Sequence, residues 1–401
     1  MSLSGLIGSI NTAAANTGSS HVNDNECREL LQACERLRSA YETPLDVVTR
    51  LYYSIPQAIV LRLGVDLKLF NAVVKLSGKS ANGEFSVQQL AGETGAEPLL
   101  LARILRFLAT MGIVREVSKD TFSSTPSTAA FISSSSLASV VIHGTHFLNI
   151  LSKLPEYFAQ KGWNSPNDAD DGPFQFATGT QSHYFDFLSS EPYYQQAFNT
   201  TMTASFRRKG QSWFKFFPVE EKLRVEDPMA PLLVDIGGGQ GEDILAFRDK
   251  FPHLPGKLIL QDLPVVVEGI QGTISPVEAQ GYNFFDEQPN KGAKAYYLRT
   301  VLHDWPDKQA LQILARVRES MTPESLLLIN EVLVPETNRS LSSVVADLAM
   351  MTSYAALERT QAQFEAVLNE AGFELVNVWR PDGVEVQSAQ QAVLLEARLK
   401  R

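Results

Sequence analysis

Cysteine is nearly absent: the 401-residue chain has two, Cys27 and Cys34. Seven residues apart in a stretch that reads as helix, they staple little and supply only half of a zinc site. The chain therefore reads as an intracellular protein with reduced thiols. Long apolar runs are missing too, and no segment approaches the ~18 residues that a membrane span requires. The first twenty residues, rich in Ser, Ala, Gly and Asn, have neither the basic start nor the apolar stretch of a signal peptide, and read as a frayed terminus. A soluble, cytoplasmic protein without a membrane partner is expected. Positive charge is also scarce: 35 Lys and Arg against 45 Asp and Glu leave a formal net charge of −10. Affinity for a phosphate backbone needs clustered Lys and Arg, so no nucleic-acid partner is expected, whereas a small, mostly apolar substrate is compatible.

What is present is a globular composition, 44% apolar and 20% charged, in a chain longer than the ~250–300 residues at which one hydrophobic core stops growing. Residues 24 to 75 read as helices, with Ile55, Ile59, Val60, Leu63 and Leu67 at helical spacing. Phe85-Ser86 opens a short helix from Val87 to Ala91, with Ser86 as N-cap. After the turn Gly92-Glu93-Thr94-Gly95, Pro98 starts a second helix through Leu108, and Arg115 to Ser123 fits a hairpin. Helix, turn, helix, hairpin is a winged-helix pattern. Arg103 and Arg106 on its second helix are too few for DNA binding, and that helix is mostly apolar, so a packing or dimerisation module is expected. Residues 132 to 140 read as a Ser-rich loop, Val141 to Tyr157 and Tyr193 to Phe217 as aromatic-rich helices, and Asn164 to Gly172 as an exposed loop. His143 and His146, at i and i+3, share a helix face and either pack there or line a pocket.

Leu232 to Ile236 is a buried-strand pattern followed at once by Gly237-Gly238-Gly239-Gln240-Gly241 and a helix from Glu242 to Lys250. A glycine turn there lets backbone approach a ligand, and the helix start offers free N–H groups. The next strand, Lys257 to Leu260, leads into Gln261-Asp262, an acid placed to accept hydrogen bonds from ribose hydroxyls. The dinucleotide fingerprint would need glycine at 242, where Glu242 stands. The acidic pair Glu242-Asp243 disfavours a pyrophosphate and suits a ligand carrying an ammonium and a sulfonium. Strands at Ala295–Arg299, Ser325–Val334, Phe373–Arg380 and Gln391–Arg398, with helices at Asp307–Ser320 and Thr360–Ala371, complete an α/β pattern. The second of these helices opens with a Thr360-x-x-Gln363 capping box and stops at Gly372.

The run Tyr297-Leu298-Arg299-Thr300-Val301-Leu302-His303-Asp304-Trp305-Pro306-Asp307 resembles the LHDW stretch of small-molecule O-methyltransferases of the plant caffeate/flavonoid type and their fungal relatives. Asp235-Ile236-Gly237-Gly238-Gly239, Leu260-Gln261-Asp262-Leu263-Pro264, Ile329-Asn330-Glu331 and Glu358-Arg359-Thr360 stand in that family's order, over nearly the whole chain. The resemblance implies an α/β fold: a Rossmann-like S-adenosylmethionine (SAM)-binding domain with a mixed seven-stranded sheet, preceded by an all-α/winged-helix dimerisation domain. The boundaries read as 1–140 for the dimerisation domain, 141–214 for a helical linker and substrate-pocket segment, and 215–401 for the SAM domain. A homodimer is implied.

Roles follow from the same resemblance. His303 stands where the general base does, with Glu331 and Glu358 flanking the imidazole. Gly237, Gly238, Gly239, Asp262 and Leu263 stand at cofactor positions, with Asn283 where an acid is usual, Phe284 after it, Arg299 as a nearby base and Trp305 packing on adenine. Phe198, Met202 and Asp304 match substrate-pocket positions, and His143 and His146 lie in a helix that lines the family's pocket. No metal is implied. The expected reaction is methyl transfer to a hydroxyl of an aromatic or polyketide-type molecule. The alternative comes from fungal members of this fold that bind SAM yet catalyse dehydrations or pericyclic ring closures on polyketide–pyridone intermediates.

Overall fold

The computed structural model describes residues 2–15, 24–203, 211–270, 272–381 and 391–400. The chain divides into two compact units, Met1–Ala129 and Ala130–Arg401.

In the first unit, helices Leu3–Ala15, Asp24–Tyr41, Pro44–Asp66 and Leu69–Lys79 precede the winged-helix segment. The expected frayed terminus is, over the residues described, a helix: Ser2 caps it by accepting from the Gly5 N–H, and Ala-rich sequence propagates it, although none of its residues is buried. Residues 16–20 of that stretch lie outside the described residues. Ser86 and Gln89 form a reciprocal capping box at the start of helix Val87–Thr94, and Pro98 opens helix Pro98–Thr110. Phe85-Ser86 also belongs to a strand, β1 (Glu84–Ser86), which pairs with β3 (Thr121–Ser124), itself paired with β2 (Val114–Ser118). Leu69, Phe70, Leu90, Leu105, Leu108 and Phe122 form a fully buried core. The apolar side chains in the first half of helix Pro44–Asp66 do not join it: Leu45, Val48, Leu51, Tyr52 and Ile55 are all more than half exposed, although Val65 near the end of the helix is buried.

The second unit carries a seven-stranded sheet in the order β6-β5-β4-β7-β8-β10-β9. Its strands are β4 (Pro231–Ile236), β5 (Lys257–Asp262), β6 (Glu278–Gly281), β7 (Ala295–Arg299), β8 (Leu326–Val332), β9 (Phe373–Trp379) and β10 (Ala392–Leu399). β6 to β8 in spatial order are parallel, and β10 runs antiparallel between β8 and β9. Both faces of the central strands are buried, so Leu233, Val234, Tyr296, Tyr297, Leu327 and Leu328 form continuous apolar runs rather than alternating ones. β6 escaped the sequence reading because Glu278-Ala279-Gln280-Gly281 lies at the sheet edge with little apolar content.

Residues 130–203 pack in this same unit. The Ser-rich stretch is only partly a loop: Ser135 caps a helix, Ser136–Leu151, which carries His143 and His146. The expected helix from Tyr193 to Phe217 is Pro192–Thr203; residues 204–210 lie outside those described, and Trp213–Lys215 is a 3₁₀ turn. The bulky apolar run Trp213, Phe214 and Phe217 had suggested helix; it instead wedges into the core beneath the sheet. Among the described residues no helix is long and apolar enough to cross a membrane.

Candidate active site

The carboxyl ends of β4, β5 and β7 gather the first half of the site. After Ile236 the chain reverses through Gly237, at φ 72°, whose N–H shares the Gln261 carbonyl with that of Gly238, at 2.7 and 3.2 Å. A side chain at 238 would overlap Leu260 and lie 2.7 Å from the Asp235 carboxyl group. This is close packing that only glycine permits. Gly239 donates its N–H to Asp262 at 2.8 Å, and the other Asp262 oxygen accepts from Leu263 N–H at 2.7 Å. Burial nonetheless pushes the Asp262 carboxyl above the usual range, against the pull of those two N–H groups. With about four acceptor sites on a carboxylate, two remain for ligand hydroxyls.

Around this turn, Leu263 is 41% exposed at the start of helix Pro264–Glu268. The Asn283 side-chain oxygen accepts from Phe285 N–H at 3.1 Å, so part of its capacity serves its own turn. Phe284 meets Trp305 edge-on at 5.7 Å. Arg299 pairs with Asp243, which also accepts from the Tyr297 hydroxyl at 2.8 Å, so this cation is already neutralised by the first turn of helix Glu242–Lys250.

The second half is the turn after β7. Thr300 sits at φ 46°, a conformation costly for a β-branched residue, and a short 3₁₀ turn, Leu302–Asp304, follows. Two buried charges hold it. Glu331, 1% exposed at the end of β8, accepts from the N–H groups of Val301 and Leu302 at 3.1 Å and of His303 at 3.4 Å. Arg359, also 1% exposed, donates to the carbonyls of Leu302 and Trp305 at 2.6 and 2.8 Å and to the Asp307 carboxylate at 2.6 Å. The His303 ring is thereby set between Glu358, 3.3 Å from Nδ1, and Asp304, 3.5 Å from Nε2. Glu358 is aligned by its own N–H, which donates to Asp347 at 2.9 Å. Burial opposes a charge on His303, but Asp304, Glu331 and Glu358 outweigh it and push the ring's pKa up to about 10. Burial raises Glu331 to about 7 despite the neighbouring imidazole.

A family model described as the O-methyltransferase domain matches residues 164–374, and one described as the O-methyltransferase dimerisation domain matches residues 51–134. The demethylsterigmatocystin 6-O-methyltransferase of Aspergillus flavus is 32% identical over 93% of each chain. The chain belongs to the O-methyltransferase family. Two solved structures are similar to it throughout: LepI in complex with SAM, at a TM-score of 0.79 and 30% identity over 100% of both chains, and one described as a pericyclic reaction enzyme, at 0.79 and 30% over 98% of this chain and 99% of that one.

In this member of the family the remaining candidates fall into an aromatic cluster. His143, 8% exposed, meets Phe147 and Phe198 at 4.8 and 5.5 Å. His146 lies 4.3 Å from Tyr194 and stacks on Phe187 at 5.5 Å. Phe198 also touches Tyr184 and Phe185, while Met202 is half-buried one turn further along the same helix. Trp305, expected against adenine, is 8% exposed and stacked on His183 at 4.6 Å. Two participants went unnoticed in the sequence. Arg359 is buried, but a charged residue between a carboxylate and a helix cap carries no sign of burial in the sequence. His183 lies in an aromatic stretch that draws attention to its rings and away from its one imidazole.

Proposed function

We propose that this enzyme transfers a methyl group from SAM to a hydroxyl of an aromatic or polyketide-type small molecule, with His303 as the general base. Bound SAM supplies an electrophilic methyl group on a sulfonium. The residues present fit that ligand: a glycine turn with no room for a side chain at 238, a half-satisfied Asp262 carboxylate and an acidic surround. What carries the reading is the His303 turn, fixed by Glu331 on its amides and Arg359 on its carbonyls, with Glu358 on Nδ1. That contact orients the ring and assigns Nε2, which has Asp304 at 3.5 Å, as the nitrogen that would take the substrate proton once the ring is deprotonated. Neighbouring carboxylates raise the ring's proton affinity, and a cation bound beside it would lower that affinity and so raise the deprotonated fraction able to accept a proton. Catalysis is then alignment plus proton removal. The dimerisation-domain match and the exposed apolar face of helix Pro44–Asp66 support a homodimer.

One observation favours a second reading. A His303 that is an imidazolium at neutral pH is a hydrogen-bond donor, as a pericyclic or dehydrating reaction would use, and one structural relative is described as a pericyclic reaction enzyme. Incubation with hydroxylated aromatic ketones and SAM separates the two. S-adenosylhomocysteine (SAH) accumulating in step with a methylated product supports methyl transfer. An isomerised or dehydrated product without SAH overturns it.

A further inference from the structure

His183 is 7% exposed and caps helix Tyr184–Ser190, its Nδ1 accepting the Phe185 N–H at 3.3 Å. Burial lowers its pKa, against the pull of Asp186 and Asp170. The ring is therefore neutral with its proton on Nε2. That N–H is buried and finds no hydrogen-bond partner among the described residues. A buried donor left unanswered is destabilising, a penalty that a phenylalanine of similar size would avoid.

The place of this donor in the fold indicates what answers it. The ring stacks on Trp305 at 4.6 Å and 10°, two residues beyond the base. It also lies 5.3 Å from Phe185 and 5.8 Å from Tyr354. Phe185 in turn touches Phe198 at 6.0 Å, within the aromatic cluster. His183 thus stands at the seam between the turn that carries the base and the aromatic wall.

We propose that His183 donates a hydrogen bond from Nε2 to a carbonyl-type oxygen of the acceptor molecule, and so selects hydroxylated aromatic ketones over phenols that lack the carbonyl. The proposal rests on the methyl-transfer reading for the identity of the acceptor. Its test therefore measures binding and needs no turnover. Calorimetry on the SAH-loaded full-length enzyme compares a hydroxyxanthone with the matching hydroxyxanthene, which differs only by the ring carbonyl. Wild type should bind the xanthone at least tenfold more tightly. His183→Phe keeps the stack on Trp305 and should abolish that preference while leaving SAH affinity unchanged. His183→Gln retains an N–H donor and should keep part of the preference. A wild type that does not prefer the xanthone, including one that binds neither compound, overturns the proposal. So does a His183→Phe variant that keeps the preference, or one that loses SAH affinity instead, which would turn the donor toward the nucleoside. Should His183→Phe fail to fold, the wild-type comparison and His183→Gln decide. A preference that persists without any methylated product would leave this proposal standing and remove the methyl-transfer reading alone.

Discussion

His303 is one imidazole among three carboxylates, and its behaviour with pH follows from that company. A base in the role proposed for His303 works deprotonated, and the surrounding carboxylates push its pKa up to about 10. The value of kcat/KM should therefore rise about tenfold per pH unit above neutrality, levelling only near that value. Glu358→Gln removes one of the charges that raise the ring, so the rising limb should move to lower pH, read from a full pH profile. His303→Gln should lose ~10²–10⁴-fold in rate and abolish the limb, with SAH binding retained in calorimetry. A limb that survives in His303→Gln would assign it to another group. At this scale the sequence was legible where residue type and spacing state a chemistry, as for His303, Asp262 and the glycines. It was silent on His183, because a lone histidine before a short helix reads as a cap, which it also is.

Two elements shape the site, and each gives a prediction. Gly238 is held between Leu260 and the Asp235 carboxyl group, so Gly238→Ala must displace one of those side chains or the turn itself. SAH affinity should fall at least tenfold, equivalent to ~1.4 kcal/mol, in a protein whose circular dichroism is unchanged; undiminished affinity would refute the fit. Arg359→Met leaves the carbonyls of Leu302 and Trp305 and the Asp307 carboxylate without their donor. Each buried carbonyl left without its donor costs about 1–3 kcal/mol, while the largely exposed Asp307 carboxylate is resolvated, and the loss is visible as a lower urea midpoint. A base displaced by about 1 Å costs ~10²-fold in kcat, while cofactor binding, which rests on the glycine turn, should persist. Most helices and the central strands were legible from periodicity and caps: Ser86, Pro98 and Thr360 stand where their helices begin. The edge strand β6 and the helix Leu341–Tyr354 were not, the first for want of apolar residues. The second has apolar residues on its exposed side as well, Leu341, Val344 and Val345 among them, which blurs its period.

At the scale of the whole molecule, helix Pro44–Asp66 leaves an apolar face exposed: Leu51 is 54% exposed, Tyr52 71% and Ile55 58%. Soluble monomers rarely leave such a contiguous patch uncovered. Tyr52→Glu combined with Ile55→Glu should convert a dimer into a monomer in light scattering, since two charges in an apolar interface cost several kcal/mol. A wild type of monomeric mass would refute the homodimer. The expectation of a dimerisation module in the winged-helix segment agrees with the dimerisation-domain match over residues 51–134.

The two halves of the site are also separated in time. A ribosome delivers the glycine turn and Asp262 first, and the His303 turn soon after. Yet the carbonyls of that turn wait for Arg359, whose bond to Leu302 spans 57 residues. Until that residue emerges, the nascent enzyme has the makings of a cofactor cradle but a base without an address. Under the proposed mechanism the geometry of the base is thus completed by the last third of the domain to be synthesised.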